Sequence, residues 1–199
     1  MSKRLRCWIR GALITCCISC SLHAGAGAQA IKVTKTVSKP NLICVLCSLT
    51  VVASPSSVTF SLVQGGAAYG SSAIAITTTL SGISAFNSVT LYGYFASASA
   101  ALTDGYGSTP DTIPSSSVLG WVPTGAPSST YVQFTNSGML GTPGATLVLF
   151  STSSMSATGC PLLSLCRTDS LNLEINLASQ TSLPAGSYTG TLILQAEVL

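Results

Sequence analysis

The chain has 199 residues, is 47% hydrophobic and only 7% charged, and carries a formal net charge of +3. High hydrophobicity with so little charge excludes an intrinsically disordered chain, and the length suits a single domain of the sandwich or barrel type. Half of the basic residues are confined to the first ten positions, so the charge also excludes an extended basic footprint for nucleic acid.

Residues 1–30 read as a secretory signal peptide. Lys3, Arg4, Arg6 and Arg10 precede an apolar run over 11–22, and a stretch of small residues ends in Ala28-Gln29-Ala30. That succession of charge, apolar run and A-x-A site is the pattern of an export leader. The run is shorter than the ~20 residues that cross a bilayer. Cleavage is expected after Ala30, leaving one β-sandwich domain over 31–199 that begins at Ile31. The expected location is secreted, periplasmic or cell-surface, with membrane contact only through the leader before its removal. Retention of the leader as an anchor and lipidation of Cys16 or Cys20 are the alternatives. Beyond the leader four basic residues remain, Lys32, Lys35, Lys39 and Arg167. They face five acids, Asp104, Asp111, Asp169, Glu174 and Glu197, so the net charge is −1. A near-neutral surface of hydroxyls and glycines favours association.

Strands are expected next in chain order, over 31–38, 42–53, 57–64, 72–80, 87–95, 129–135, 145–152, 171–177 and 187–198. The clearest are 87–95, with Val89, Leu91 and Phe95 opposite Thr90, Tyr92 and Tyr94, and 171–177, where Leu171, Leu173, Ile175 and Leu177 alternate with polar residues. No window shows the helical apolar spacing with caps at both ends. Short strands separated by Gly, Pro, Ser and Asn indicate an all-β, immunoglobulin-like antiparallel sandwich. In the first strand Ile31, Val33 and Val37 alternate, with Lys35 as an interruption. Such a segment can pair within its own domain or complete a neighbour's sheet by strand addition. Residues 97–118 form the longest expected loop. Long loops in compact domains are usually functional or mobile. Trp121, just beyond it, is placed to cover one end of the core.

Four of the eight cysteines belong to the leader, which leaves Cys44, Cys47, Cys160 and Cys166. An even number in an exported chain reads as disulfides, with ~3 possible connectivities. Local pairing, Cys160–Cys166 around Pro161 and Cys44–Cys47, is the preferred arrangement. Cross-pairing would staple the N-terminal strand to a distant loop. Zinc held by all four fits less well, because the second pair is five residues apart and thiolate zinc sites favour short spacings.

The single histidine, His23, lies in the leader. Without it there is no Ser-His-Asp or Cys-His arrangement and no imidazole metal ligand. Asp104 and Asp111 are the only acids close together in the long loop. Asp-Gly and Pro-Asp are turn dipeptides; calcium ligation and a glycosidase pair are the alternatives. Glu174 reads as a solvated residue on the polar side of its strand. No catalytic residue, cofactor site or resident metal is expected. Aromatic side chains can form a platform for a polysaccharide. Tyr92, Tyr94 and Trp121 are the leading candidates, with Tyr106 and Tyr131 beside them.

Near the C-terminus, Leu183-Pro184-Ala185-Gly186-Ser187-Tyr188 leads into Thr189-Gly190-Thr191-Leu192-Ile193-Leu194. This segment resembles the last strand of bacterial secreted immunoglobulin-like domains and of fimbrial-type subunits of the spore coat protein U group. Ala53-Ser54-Pro55-Ser56-Ser57-Val58-Thr59-Phe60 is similar to the opening strand of exported immunoglobulin-like repeats. The resemblance implies a tyrosine corner, with Gly186 and Tyr188 as structural residues at the strand entrance. The cysteine arrangement departs from the spore coat group. The expected function is a non-catalytic structural or adhesive module at the cell surface. A subunit polymerising by N-terminal strand exchange and a carbohydrate-binding module are the alternatives. Expected partners are other surface proteins, a second copy of the chain or a polysaccharide, and not nucleic acid. The few aromatics and the cysteines argue against an outer-membrane barrel.

Overall fold

The computed structural model describes residues 29–37, 48–82, 88–137 and 142–198. Residues 1–28 of the expected 1–30 leader, and the expected pairing of Cys44 and Cys47, lie outside the described residues. The strands, in chain order, are β1 (Gln29–Val37), β2 (Ser48–Ser54), β3 (Ser57–Phe60), β4 (Ala67–Tyr69), β5 (Ile74–Ser81), β6 (Val89–Phe95), β7 (Leu102–Thr103), β8 (Thr112–Ile113), β9 (Val118–Trp121), β10 (Val132–Gln133), β11 (Thr146–Thr152), β12 (Ser164–Asn176) and β13 (Thr189–Val198). A single 3-10 turn over Ser115–Ser117 is the only helical segment among the described residues.

Alternation at a period of two explains why these segments become strands with one face against a core. Along β5, Ile74, Ile76, Thr78 and Leu80 are buried while Ala75 is exposed and Thr77, Thr79 and Ser81 are half-buried. Along β12, Leu171, Leu173 and Ile175 point inward and Asn172 and Asn176 do not. Two sheets result. The first runs β11-β6-β13-β1-β3, with the short β7 and β8 extending it beside β13. The second runs β10-β9-β12-β5-β2, with β4 also on β12. Their inner faces meet in one core, where Phe95 and Phe134 pack edge to face at 5.2 Å. This is the all-β sandwich that the alternation predicts.

One pairing departs from an antiparallel sandwich. β1 lies between β13 and β3, parallel to the first and antiparallel to the second. Its register sets Ile31 beside Gly190 and Val33 beside Leu192. A side chain at Gly190 would run into the Ala101 carbonyl and the Leu102 side chain, so the close approach of β7 to β13 requires glycine there.

The stretch 97–118 is more ordered than a loop. β7 and β8 form a small hairpin through Leu102↔Ile113 and Thr103↔Thr112. Strands of two residues carry no readable alternation, so the sequence pattern misses them. β4, with three residues among glycines, escapes for the same reason. β12 spans Ser164–Asn176 and begins well before the alternation at Leu171. Its first half is polar, and pairing with β5 from Ser164↔Ser81 onward makes it a strand. Cys160 and Cys166 are disulfide-bonded, which closes the loop before and into β12. A cystine of this kind persists in an oxidising compartment. Among the described residues no helix is long and apolar enough to cross a membrane.

Candidate aromatic site on the outer sheet face

The outer face of the second sheet is built by residues that alternate with the core. On β9, Val118 and Gly120 take the inward positions, which leaves Leu119 and Trp121 outward. Trp121 therefore does not cover the end of the core; the fully buried Val122 follows it there. Antiparallel pairing puts Asn172 opposite Trp121 and Glu174 opposite both Leu119 and Tyr69. β10 pairs Val132 with Gly120, which brings the preceding residue, Tyr131, alongside Trp121.

Three rings meet on this face. The Trp121 and Tyr131 centroids are 5.7 Å apart with planes at 56°, and those of Tyr131 and Tyr69 are 5.8 Å apart at 49°. Both pairs are tilted contacts in the favourable range for aromatic side chains. The Trp121 indole N–H donates to the Ser128 carbonyl at 2.9 Å, which fixes the ring from its own following loop. Asn172 donates from Nδ2 to the Trp121 carbonyl at 3.4 Å. Tyr69 is the most open of the three, at 64% exposure. Glu174 lies under the cluster with 8% exposure, so it is not the solvated residue its position on a polar strand face suggests. The rings on the neighbouring strands shield it. Burial, then the Glu174 carboxylate, then Tyr69 push the Tyr131 phenol above its ordinary value. The arrangement offers tilted aromatic faces and phenolic hydroxyls within one patch, above a shielded carboxylate. Aromatic faces with a few fixed polar groups are what a neutral polyhydroxylated ligand needs.

The other sequence candidates do not join this patch. Tyr92 is 8% exposed and presents no ring, because β6 is the second strand of the first sheet and is buried on both faces over most of its length. Burial, followed by the Glu197 carboxylate, raises its phenol. Tyr94 is half-buried and donates from its hydroxyl to Gln195 Oε1 at 3.2 Å. Tyr92 and Tyr94 thus belong to the outer cover of the first sheet, on the opposite side of the molecule from Trp121. Tyr106 stands alone at the hairpin tip with 83% exposure. Tyr69 is the residue that sequence reasoning missed. The signal would have been Tyr69 itself, a large aromatic set among glycines and alanines in a segment too short for a strand pattern.

Asp104 and Asp111 do meet. Asp104 Oδ1 accepts from the Tyr106 and Asp111 backbone N–H groups, each at 3.1 Å. This is turn chemistry. No group of three or more His, Cys, Asp or Glu side chains able to hold a metal is present among the described residues. At the entrance to β13 the Tyr188 hydroxyl donates to the Pro184 carbonyl at 3.0 Å, and the ring is fully buried beside Gly186. Comparison with known proteins finds no matching family model, no matching curated protein and no matching solved structure.

Proposed function

We propose that this chain is an exported, non-catalytic adhesive module, and that the Tyr69–Tyr131–Trp121 face is the surface with which it adheres. The observation that carries this reading is the ring cluster itself. Three large aromatic side chains share one outer sheet face above a carboxylate. Rings that serve only as core would lie between the sheets. The ligand class that suits the patch is a neutral polysaccharide, whose C–H faces stack on rings and whose hydroxyls bond to phenols and amides. Retention on immobilised neutral polysaccharides tests it. Tyr69→Ala and Trp121→Ala are expected to abolish retention while leaving the urea midpoint nearly unchanged, because Tyr69 is exposed and Trp121 lies outside the core. Retention that survives both substitutions would sink the reading.

A second reading is favoured by a different observation. β1 fills the slot between β13 and β3, and a strand in that place can be supplied by a neighbouring copy instead. A subunit that polymerises this way is expected to form concentration-dependent ladders that disappear on deletion of 31–38. A monomer at every concentration, with or without the segment, would exclude strand exchange.

A further inference from the structure

We propose that the export leader is removed between Ala28 and Gln29, so that Gln29 is the first residue of the folded protein. This rests on the reading of residues 1–28 as a signal peptide. A leader peptidase acts on an unfolded chain and reads small residues at the first and third positions before the scissile bond. Three overlapping Ala-x-Ala frames satisfy it here. Ala28-Gln29-Ala30 directs cleavage before Ile31, Ala26-Gly27-Ala28 before Gln29, and Ala24-Gly25-Ala26 before Gly27. Sequence alone does not separate them. The fold does part of this, because the first frame cuts into the first strand and the frame ending at Ala28 is the last that leaves it whole.

Gln29 is part of β1 and is 8% exposed. Its side chain is held at both ends. Nε2 donates to the Gly186 carbonyl at 3.2 Å, and Oε1 accepts from the Leu62 backbone N–H at 3.4 Å. One residue thereby ties the chain ends flanking β3 and β13, the two strands between which β1 lies. Ala30 adds a backbone bond to the Tyr188 carbonyl at 3.2 Å. The register continues the strand through Gln29↔Phe60 and Ala30↔Thr59 on one side and Ala30↔Thr189 on the other. Beside these residues is a cavity of about 390 Å³, bounded by Gln29, Leu62, Leu177, Leu183, Pro184 and Tyr188. A chain beginning at Ile31 would lack the Gln29 wall of that cavity and open it towards the Tyr188 ring. It would leave the Leu62 N–H and the Gly186 and Tyr188 carbonyls without these partners, and orphaned backbone groups are costly when water cannot replace them. Cleavage at Ala28–Gln29 consumes one water molecule, leaving a carboxylate on Ala28 and a free amine on Gln29.

The test is the N-terminal peptide of the full-length gene product, exported to an oxidising compartment and identified by mass spectrometry. It is run on the native sequence and on Ala30→Leu, which spoils only the frame ending at residue 30. The expected result is a terminus at Gln29, as glutamine or its cyclised form, in both proteins. A terminus at Ile31 in the native chain, with processing lost in Ala30→Leu, would overturn the proposal, and so would a terminus at Gly27. A chain still beginning at Met1 would overturn it too, and would show that the export reading itself had failed. A folded-state readout accompanies it. Protein made to begin at Ile31 is expected to unfold at a lower urea concentration than protein beginning at Gln29, and equal midpoints would contradict the anchoring role of Gln29.

Discussion

Asp169 is the most consequential charged residue of the fold. Its side chain is 1% exposed and forms a two-point contact with Arg167, Nε to Oδ2 at 2.7 Å and an Nη2 bond to Oδ1 at 2.8 Å. Thr124 completes the group: its hydroxyl donates to Asp169 Oδ1 at 2.6 Å and its carbonyl accepts from Arg167. The guanidinium also lies 4.9 Å from the Phe150 ring centroid, a cation–π contact with a residue of the opposite sheet. The bond to Asp169 raises the Arg167 guanidinium further above its ordinary value, so it stays charged under all working conditions. Breaking such a pair from one side strands a buried charge, whereas replacing both partners with apolar groups of similar size is often neutral. Arg167→Ala is therefore expected to cost about 3 kcal/mol in urea unfolding. Arg167→Met with Asp169→Leu is expected to restore most of that loss. If the double variant is as unstable as the single one, the network has a role beyond charge compensation. None of this was legible in the sequence, where Arg167 and Asp169 are two scattered polar residues. The role of Tyr188 was legible only through the resemblance of its Pro-Ala-Gly-x-Tyr approach to the last strand of immunoglobulin-like domains, not from those residues by themselves.

At the scale of elements, legibility followed strand length. The long alternating segments, β5, β6, β11 and β13, were all visible, because a period of two needs several residues to register. β4, β7, β8 and β9 were not, and the aromatic face depends on β4 and β9. The direction of β1 was also beyond the sequence. A first strand can pair with any edge, and only packing decides that it runs parallel to β13. That placement gives β1 a testable polarity of its own. Ile31 is fully buried and Val33 nearly so, while Lys32 between them is exposed. An unpaired carboxylate in the core costs several kcal/mol, and surface substitutions away from special features usually stay within ~0.5 kcal/mol. Ile31→Asp is thus expected to abolish the folded monomer, and Lys32→Asp to leave the urea midpoint almost unmoved. Equal sensitivity of the two positions would mean that β1 is not seated with Ile31 inward in solution.

For the molecule as a whole, three raised phenols give the fold an alkaline pH response. Tyr92, Tyr131 and Tyr188 all have phenols raised above the ordinary value of 10.0, in each case first by burial and next by a carboxylate, Glu197, Glu174 and Asp111 respectively. The sign follows from proton counting. Below pH 10.0 these phenols keep their protons in both states and contribute no slope. Between 10.0 and the raised values the unfolded chain has released protons that the folded chain still holds. Stability then falls as pH rises. These tyrosines lie on the outer face of each sheet and at one end of the sandwich, so the loss is spread over the fold and not confined to one hinge. Urea unfolding followed across the alkaline range, with tyrosinate absorbance as a second probe, is expected to show stability declining from about pH 10 in step with phenol ionisation. Tyr131→Phe removes one titrating group from the ring cluster and should reduce the steepness of that decline. A stability that stays level through phenol ionisation would mean that the three rings titrate as solvent-exposed tyrosines, and the packing of Tyr131 within the ring cluster would fall with it.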